Sequence, residues 1–313
     1  MVRQRSAKPS SAGSIPAVAS IRVPVPPQFS FEHTVESHGW YLLAPFLWDR
    51  RSKVLRRPEQ IGGEVVDVEF AFRRGALEIC VAAGFSPPDG ALKRAATRMF
   101  QLRVDTSEFI ALAAGSERHR WVAEVKFGRL LCGSTLFEDI VKIVATTNTT
   151  WTQTKRMVSL LVDKCGGKSP RGFSAFPAPE DVVRFSEREL QDDCRLGYRA
   201  KSIHSLATGI IDGTIDLDAI SDPSQSTDEL FASYKTFPGI GPYGAAHLLA
   251  MDGRHDFIAV DSEFRRFVAE TYHGGRRVSD KAMLRRYTKW GRWKYLGYWS
   301  ELWSSVADRL QPR

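Results

Sequence analysis

The sequence predicts an α+β protein: a small N-terminal antiparallel β domain over residues 28–104, then an all-helical domain over residues 105–313. Three observations carry this. Val66, Val68, Phe70 and Phe72 alternate with Asp67, Glu69 and Ala71, a period of two. Phe137, Ile140, Val141 and Val144 stand at i, i+3, i+4 and i+7, the period of a helix. No internal repeat breaks this order of strand pattern first and helix pattern second.

The elements follow in turn. Residues 1–27 are rich in Ser, Ala, Pro and Arg and contain no acid, which predicts a disordered basic tail. An organelle transit peptide is the other reading of that composition, and no long apolar run suits a secretory signal. Trp40 to Trp48 is expected as a strand. Residues 66–72 form the next, Arg73-Arg74-Gly75 turns the chain, and Leu77, Ile79 and Val81 resume the alternation as a hairpin with one buried face. Pro87 to Leu102 reads as a turn followed by a helix. Asp105 and Glu108 are a candidate cap pair ahead of Phe109. The helix through Val144 is interrupted by Thr146-Thr147-Asn148-Thr149-Thr150, and a second begins near Trp151, with Val158, Leu161 and Val162 inward. Pro177 and Pro179 precede another helix. Ser226 with Glu229 is a capping box for the helix through Tyr234.

The chain of 313 residues has a formal net charge of +8, which favours a polyanionic partner or a merely basic enzyme. No segment reaches the roughly 18 apolar residues of a membrane helix. Cys80, Cys132, Cys165 and Cys194 lie too far apart in sequence for a zinc ribbon or a clustered iron–sulfur site. Scattered cysteines of this kind suit a reducing compartment, so the expected location is cytoplasmic.

The segment Phe237 to Arg266 holds the densest chemistry. Pro238 ends one helix, Gly239 and Gly241 permit a tight connection, and Pro242 suits the first turn of the next helix. Such a hairpin can offer backbone N–H groups to one phosphate, or it can be an ordinary turn between packed helices. After Gly253 the apolar run Phe257 to Val260 ends in Asp261, which can cap the helix that follows, serve as a partly desolvated carboxylate, or do both.

Pro238-Gly239-Ile240-Gly241 followed by Asp261 resembles the helix-hairpin-helix, Gly/Pro-rich loop and Asp signature (HhH-GPD) of the endonuclease III superfamily of DNA glycosylases. Residues 137–157, FEDIVKIVATTNTTWTQTKRM, resemble the helix-loop-helix of the 8-oxoguanine glycosylase branch. Residues 196–203, LGYRAKSI, resemble a segment shared with the 3-methyladenine glycosylase II branch. Residues 289–303 resemble the closing helix near the base pocket. The resemblance spans roughly residues 29–305. It implies a helix-hairpin-helix glycosylase domain and base excision repair on double-stranded DNA with a damaged or mismatched base, by a monomer with no membrane association.

Residue by residue, the resemblance implies Asp261 as the catalytic carboxylate. Gly239, Ile240 and Gly241 would hold the DNA backbone, Asn148 would contact the orphaned partner base, and Arg265 would bind phosphate. Tyr243, Trp293 and Tyr298 are the base-pocket candidates, although aromatics at helical spacing are commonly core. Trp151, Trp290 and Trp299 are further aromatic candidates. Arg266, Arg285, Arg286 and Lys289 are further phosphate candidates, with solvated surface as the alternative. His247 is expected to pack on the hairpin's second helix. Two departures from the family pattern matter. Bifunctional members carry a Lys two residues after the second hairpin glycine, where this chain has Tyr243, and a phenol cannot form an imine. Nothing beyond Cys194 is a cysteine, so no iron–sulfur cluster and no required cofactor are expected. The expected activity is therefore monofunctional removal of a damaged base, an alkylated purine by slight preference. A non-catalytic DNA-binding protein and a glycosylase with AP-lyase activity are the alternatives.

Overall fold

The computed structural model describes residues 17–82, 90–220 and 224–310. Five strands, β1 (Ala17–Pro24), β2 (Leu47–Asp49), β3 (Val54–Ile61), β4 (Glu64–Arg73) and β5 (Ala76–Ala82), form an antiparallel sheet in the order β1-β5-β4-β3-β2. Arg74 and Gly75 both take positive φ, 51° and 74°, which matches the twist a two-residue hairpin loop needs.

The helices follow in order: α1 (Phe31–Val35) precedes β2, and α2 (Ala91–Met99), α3 (Ser107–Ala114) and α4 (Arg120–Val125) come after the sheet. The next four are α5 (Leu136–Thr146), α6 (Trp151–Cys165), α7 (Pro179–Val182) and α8 (Glu187–Asp193). Then come α9 (Arg199–Ile211), α10 (Leu217–Ile220), α11 (Thr227–Tyr234) and α12 (Pro242–Met251), and α13 (Ser262–His273), α14 (Asp280–Arg285) and α15 (Lys294–Leu310) complete the chain.

Several sequence expectations change. Part of the segment read as a tail is β1, paired with β5 along its length; residues 1–16 lie outside the described residues. Trp40–Trp48 is not one strand: Gly39–Leu42 is a 3-10 turn and only Leu47–Asp49 pairs with β3. The sheet does not have a single buried face. Asp67 and Glu69 are buried opposite Val68 and Phe70, where Ser169 donates to Asp67 at 2.9 Å and Arg56 to Glu69 at 2.6 Å. Polar residues on a strand thus marked a face covered by hydrogen-bonding partners, not by solvent. Asp105 and Glu108 do not cap together. Asp105 accepts from the Ser107 amide, while Glu108 receives Arg292 and Trp293. The turn expected at Pro87 falls largely outside the described residues.

The apolar core does not divide at residue 104. One cluster runs from Phe70, Leu77 and Ile79 of the sheet through Met99 and Phe100 to Phe137, Val144, Ile203 and Leu248. A second joins Phe109 and Phe127 to Phe264, Tyr287, Trp290 and Tyr298. The helix α12 contributes to both, with Leu248 in the first and Ala246 and Ala250 in the second. Its small residues let the two halves approach closely, and this sets the helix after the hairpin between them.

Candidate active site

The hairpin is built as its residues dictate. Ser226 and Glu229 cap α11 reciprocally, and Pro242 opens α12. Gly239 has φ +82°, and a Cβ there would lie 2.9 Å from Ser202 Cβ, so glycine is required for both conformation and space. Gly241 differs: its φ is −99° and no atom lies within 4 Å of an added Cβ. The space beside Gly241 is open to an outside group. The Gly241, Tyr243 and Gly244 amides begin the helix, where N–H groups have no intrahelical acceptor. The Ile240 side chain turns inward, 6% exposed, and its N–H is given to the Phe237 carbonyl at 3.0 Å. Ile240 therefore anchors the hairpin from beneath.

Asp261 is the N-cap of α13, and its Oδ1 accepts the Phe264 amide at 2.7 Å. Burial raises its pKa, and the amide hydrogen bonds oppose that rise. A capping residue has its side chain fixed by the helix it starts, so the carboxylate is both held and partly desolvated. Its charge reaches three phenols. Tyr243 is pushed up to about 12, first by burial and then by Asp261, with a hydrogen bond to Thr146 opposing. Tyr295 and Tyr298 are raised by burial with Asp261 contributing.

Behind Tyr243 lies a cluster that the sequence does not announce. The His247 ring stands 6.0 Å from Tyr243, 5.9 Å from Tyr295 and 5.5 Å from Trp40. His38 packs 4.8 Å from Trp40. Trp299 stacks on Tyr295 at 5.7 Å and donates to the Ser37 carbonyl at 2.8 Å. The Trp40 indole donates to Asp139 at 2.9 Å, whose other oxygen accepts Arg98 at 2.6 Å. Burial holds the His247 pKa down at about 4 and that of His38 at about 3, so both imidazoles are neutral at pH 7. The expectation that His247 packs holds, but two of its neighbours, His38 and Trp40, come from about two hundred residues earlier. Only a fold could join His38 and Trp40 to the hairpin helix.

The other candidates disperse. Trp293 is buried against Phe109 and His255, and its indole N–H goes to Glu108 at 2.9 Å, so it packs in the second core. Trp290 is likewise packed, on Phe109 and His119. Tyr298 lies beneath Asp261, 2% exposed and edge-on to Phe264 at 5.0 Å. Arg265 pairs bidentately with Asp280 at 2.8 and 2.9 Å, and Arg266 pairs with Glu263 and Glu270. Arg286 lies over the Tyr272 ring. Asn148 is exposed with φ +46°, and its amide reaches the Tyr198 hydroxyl at 3.3 Å. Arg199 donates to the Thr147 and Asn148 carbonyls and stacks on Tyr198 at 4.6 Å. Two stretches singled out in the sequence, TTNTT and LGYRAKSI, thus meet in one exposed constellation. Tyr198, 63% exposed, is its most prominent member.

A cavity of about 660 Å³, lined in part by Asp256, Phe257, Lys281, Arg285 and Lys294, does not include Asp261. Among the described residues no group of three or more His, Cys, Asp or Glu could hold a metal ion, and no helix is long and apolar enough to cross a membrane.

The comparisons with known proteins agree with this fold. No curated protein matches the sequence. The 3-methyladenine DNA glycosylase from Archaeoglobus fulgidus shares the fold with a TM-score of 0.73 at 20% identity, over 93% of this chain and 99% of its own. The Clostridium acetobutylicum 8-oxoguanine glycosylase/lyase, solved with double-stranded DNA containing cytosine opposite 8-oxoguanine, gives 0.70 at 17% identity over 94% and 99%. The Schizosaccharomyces pombe 3-methyladenine DNA glycosylase, solved with abasic DNA, gives 0.51 at 18% identity over 64% and 97%. The sequence pattern of the HhH-GPD superfamily base excision DNA repair proteins matches residues 141–292, a span that contains the Asn148 loop, the hairpin and Asp261. Residues 141–292 thus match the HhH-GPD superfamily of base excision DNA repair proteins, and the chain as a whole shares the fold of the DNA glycosylases named above.

Proposed function

We propose that this protein is a monofunctional DNA glycosylase that binds duplex DNA as a monomer, extrudes a damaged base and hydrolyses its N-glycosidic bond, with an alkylated purine as substrate. The observation that carries this is Asp261, a partly desolvated carboxylate fixed by the Phe264 amide one helix away from the open hairpin at Gly241. The hairpin amides receive a phosphate, and the base leaves the stack at a cost of a few kcal/mol that falls for damaged pairs. As the bond from C1′ to the base nitrogen breaks, the sugar takes on oxocarbenium character, and the Asp261 carboxylate stabilises that charge. The water that attacks C1′ passes its proton to the carboxylate, and the base leaves with the bonding pair.

Tyr243 stands where a Schiff-base lysine would be needed, and its phenol is held protonated, so strand cleavage through an imine is not supported. An alkylated purine suits this reading because its glycosidic bond is weak and its cation favours an aromatic ring such as that of the half-buried Tyr243. The reaction needs no cofactor, and the expected setting is the cytoplasm or nucleoid.

The test is base release from labelled duplexes carrying one alkylated, oxidised, deaminated or mismatched base, each read with and without hot alkali. Alkali-dependent breaks at one lesion are expected, lowered about 100-fold or more in Asp261→Asn with duplex binding retained. Breaks without alkali would show a lyase. Binding with no release at any lesion would make the protein a non-catalytic DNA binder.

A further inference from the structure

Two buried imidazoles behind Tyr243 each keep one ring nitrogen without a partner in the protein, Nδ1 of His38 and Nε2 of His247. Their protonation follows from their neighbours. Nε2 of His38 lies 2.7 Å from the Leu131 carbonyl oxygen, which can only accept, so Nε2 carries the proton and Nδ1 is a bare acceptor. Nδ1 of His247 lies 3.4 Å from the Tyr295 hydroxyl. With that hydroxyl, which has no other acceptor in the described structure, donating to Nδ1, the His247 proton sits on Nε2, a bare donor. The two rings are 6.0 Å apart and perpendicular. An acceptor and a donor are thus buried on neighbouring rings, with Trp40 packed against both and Tyr243 and Tyr295 against His247. Unpaired buried polar atoms destabilise a fold, and they persist where something else pairs with them.

One indole covers the segment that carries His38. Trp151 is 37% exposed and lies on the Gly39 backbone between His38 and Trp40; a Cβ at Gly39 would be 2.5 Å from its ring. The indole roofs the segment that carries both His38 and Trp40, and a base entering the cluster would displace it.

We propose that His38 and His247 are specificity-determining residues that read the edge of the extruded base, accepting an N–H with His38 Nδ1 and donating to a base acceptor with His247 Nε2. The inference rests on the glycosylase reading above and narrows its substrate to purines that present both a donor and an acceptor on one edge. A purine whose edge is closed by a bridge, such as 1,N6-ethenoadenine, offers acceptors only and leaves His38 unpaired.

The experiment uses the full-length protein and duplexes carrying 7-methylguanine, hypoxanthine or 1,N6-ethenoadenine, read as single-turnover base release. The wild type is expected to release at least one of the two N–H-bearing bases about tenfold or more faster than ethenoadenine. His38→Phe should erase that preference, and His38→Asn, which places an amide oxygen where Nδ1 sits, should restore it. His247→Leu, which removes the donor, should also narrow it and keeps the test open if His38→Phe fails to fold. Binding to a duplex with an abasic-site analogue, within about twofold of wild type, identifies the folded variants. Release with no preference, or a preference that survives both His38→Phe and His247→Leu, overturns the inference and leaves the glycosylase reading standing. Release of no base by the wild type at any lesion overturns both.

Discussion

Gly239 and Gly241 are the same residue type two positions apart, yet they serve opposite ends of the hairpin. Gly239 is forced by φ +82° and by Ser202 at 2.9 Å from any added Cβ. Gly241 has an ordinary φ and open space, so nothing inside the protein requires it. Gly239→Ala should therefore cost about 2 kcal/mol of stability, seen as a lower urea midpoint. Gly241→Leu should leave the unfolding free energy within about 0.5 kcal/mol of wild type and weaken duplex binding about tenfold by fluorescence anisotropy. A reversed pattern would remove the hairpin from the DNA interface. Asp261 shows the same division at one residue. Its cap hydrogen bond is structural, while its raised pKa reflects a carboxylate kept where water would have stabilised it better.

The helix α5 is the element that links the sheet to the site. Its first turn holds Glu138, fully buried, bonded to Arg57 of β3 at 2.9 and 3.1 Å and to Lys142 at 2.6 Å. The same turn holds Asp139, which orients Trp40, and its last turn leads into the Asn148 loop. Burial pushes the Glu138 pKa up, but Arg57 and then Lys142 outweigh it and leave it at about 2. A carboxylate whose folded pKa lies below its unfolded 4.5 stabilises the fold above that value. The contribution is lost as pH falls from 4.5 through about 2. Glu59, raised by burial, works in the opposite sense and blunts the loss. Glu138→Gln would leave Arg57 and Lys142 buried with their strongest partner gone, at a cost of about 3–5 kcal/mol. Urea unfolding at pH 7 should show that loss, and a variant as stable as wild type would mean the network contributes nothing net.

At the scale of the molecule, charge and core act separately. The formal net charge is +8, but Arg265, Arg266, Arg57 and Arg98 are committed to carboxylates. The net excess of positive charge still attracts a polyanion, and salt screens that attraction. Duplex affinity should fall roughly tenfold or more between 50 and 200 mM salt, measured by anisotropy. A flat salt dependence would argue against backbone phosphate contacts. The continuous core from the sheet to α12 explains why residues 17–104 bear on the site at all: His38 and Trp40 reach His247 because sheet and hairpin helix share that core.

By itself the sequence determined the elements whose causes are local. The capping box at Ser226, the hairpin stop at Pro238, the strand alternation from Val66 to Val81 and the helix break at Thr146–Thr150 all depend on neighbours a few residues away. It also placed Asp261 behind an apolar run and Tyr243 where an amine was missing. Tertiary structure decided what depends on contacts across the chain: that β1 joins the sheet, that Trp293 faces the core, that Arg265 is taken by Asp280, and that two imidazoles from distant segments stand beside Tyr243. Periodicity locates an element, but on β4 it did not tell that both faces are buried, and a buried aromatic or imidazole looks alike in sequence whether it packs a core or lines a pocket. The difference lies in which partner its polar atom meets, and only packing between distant segments supplies that partner.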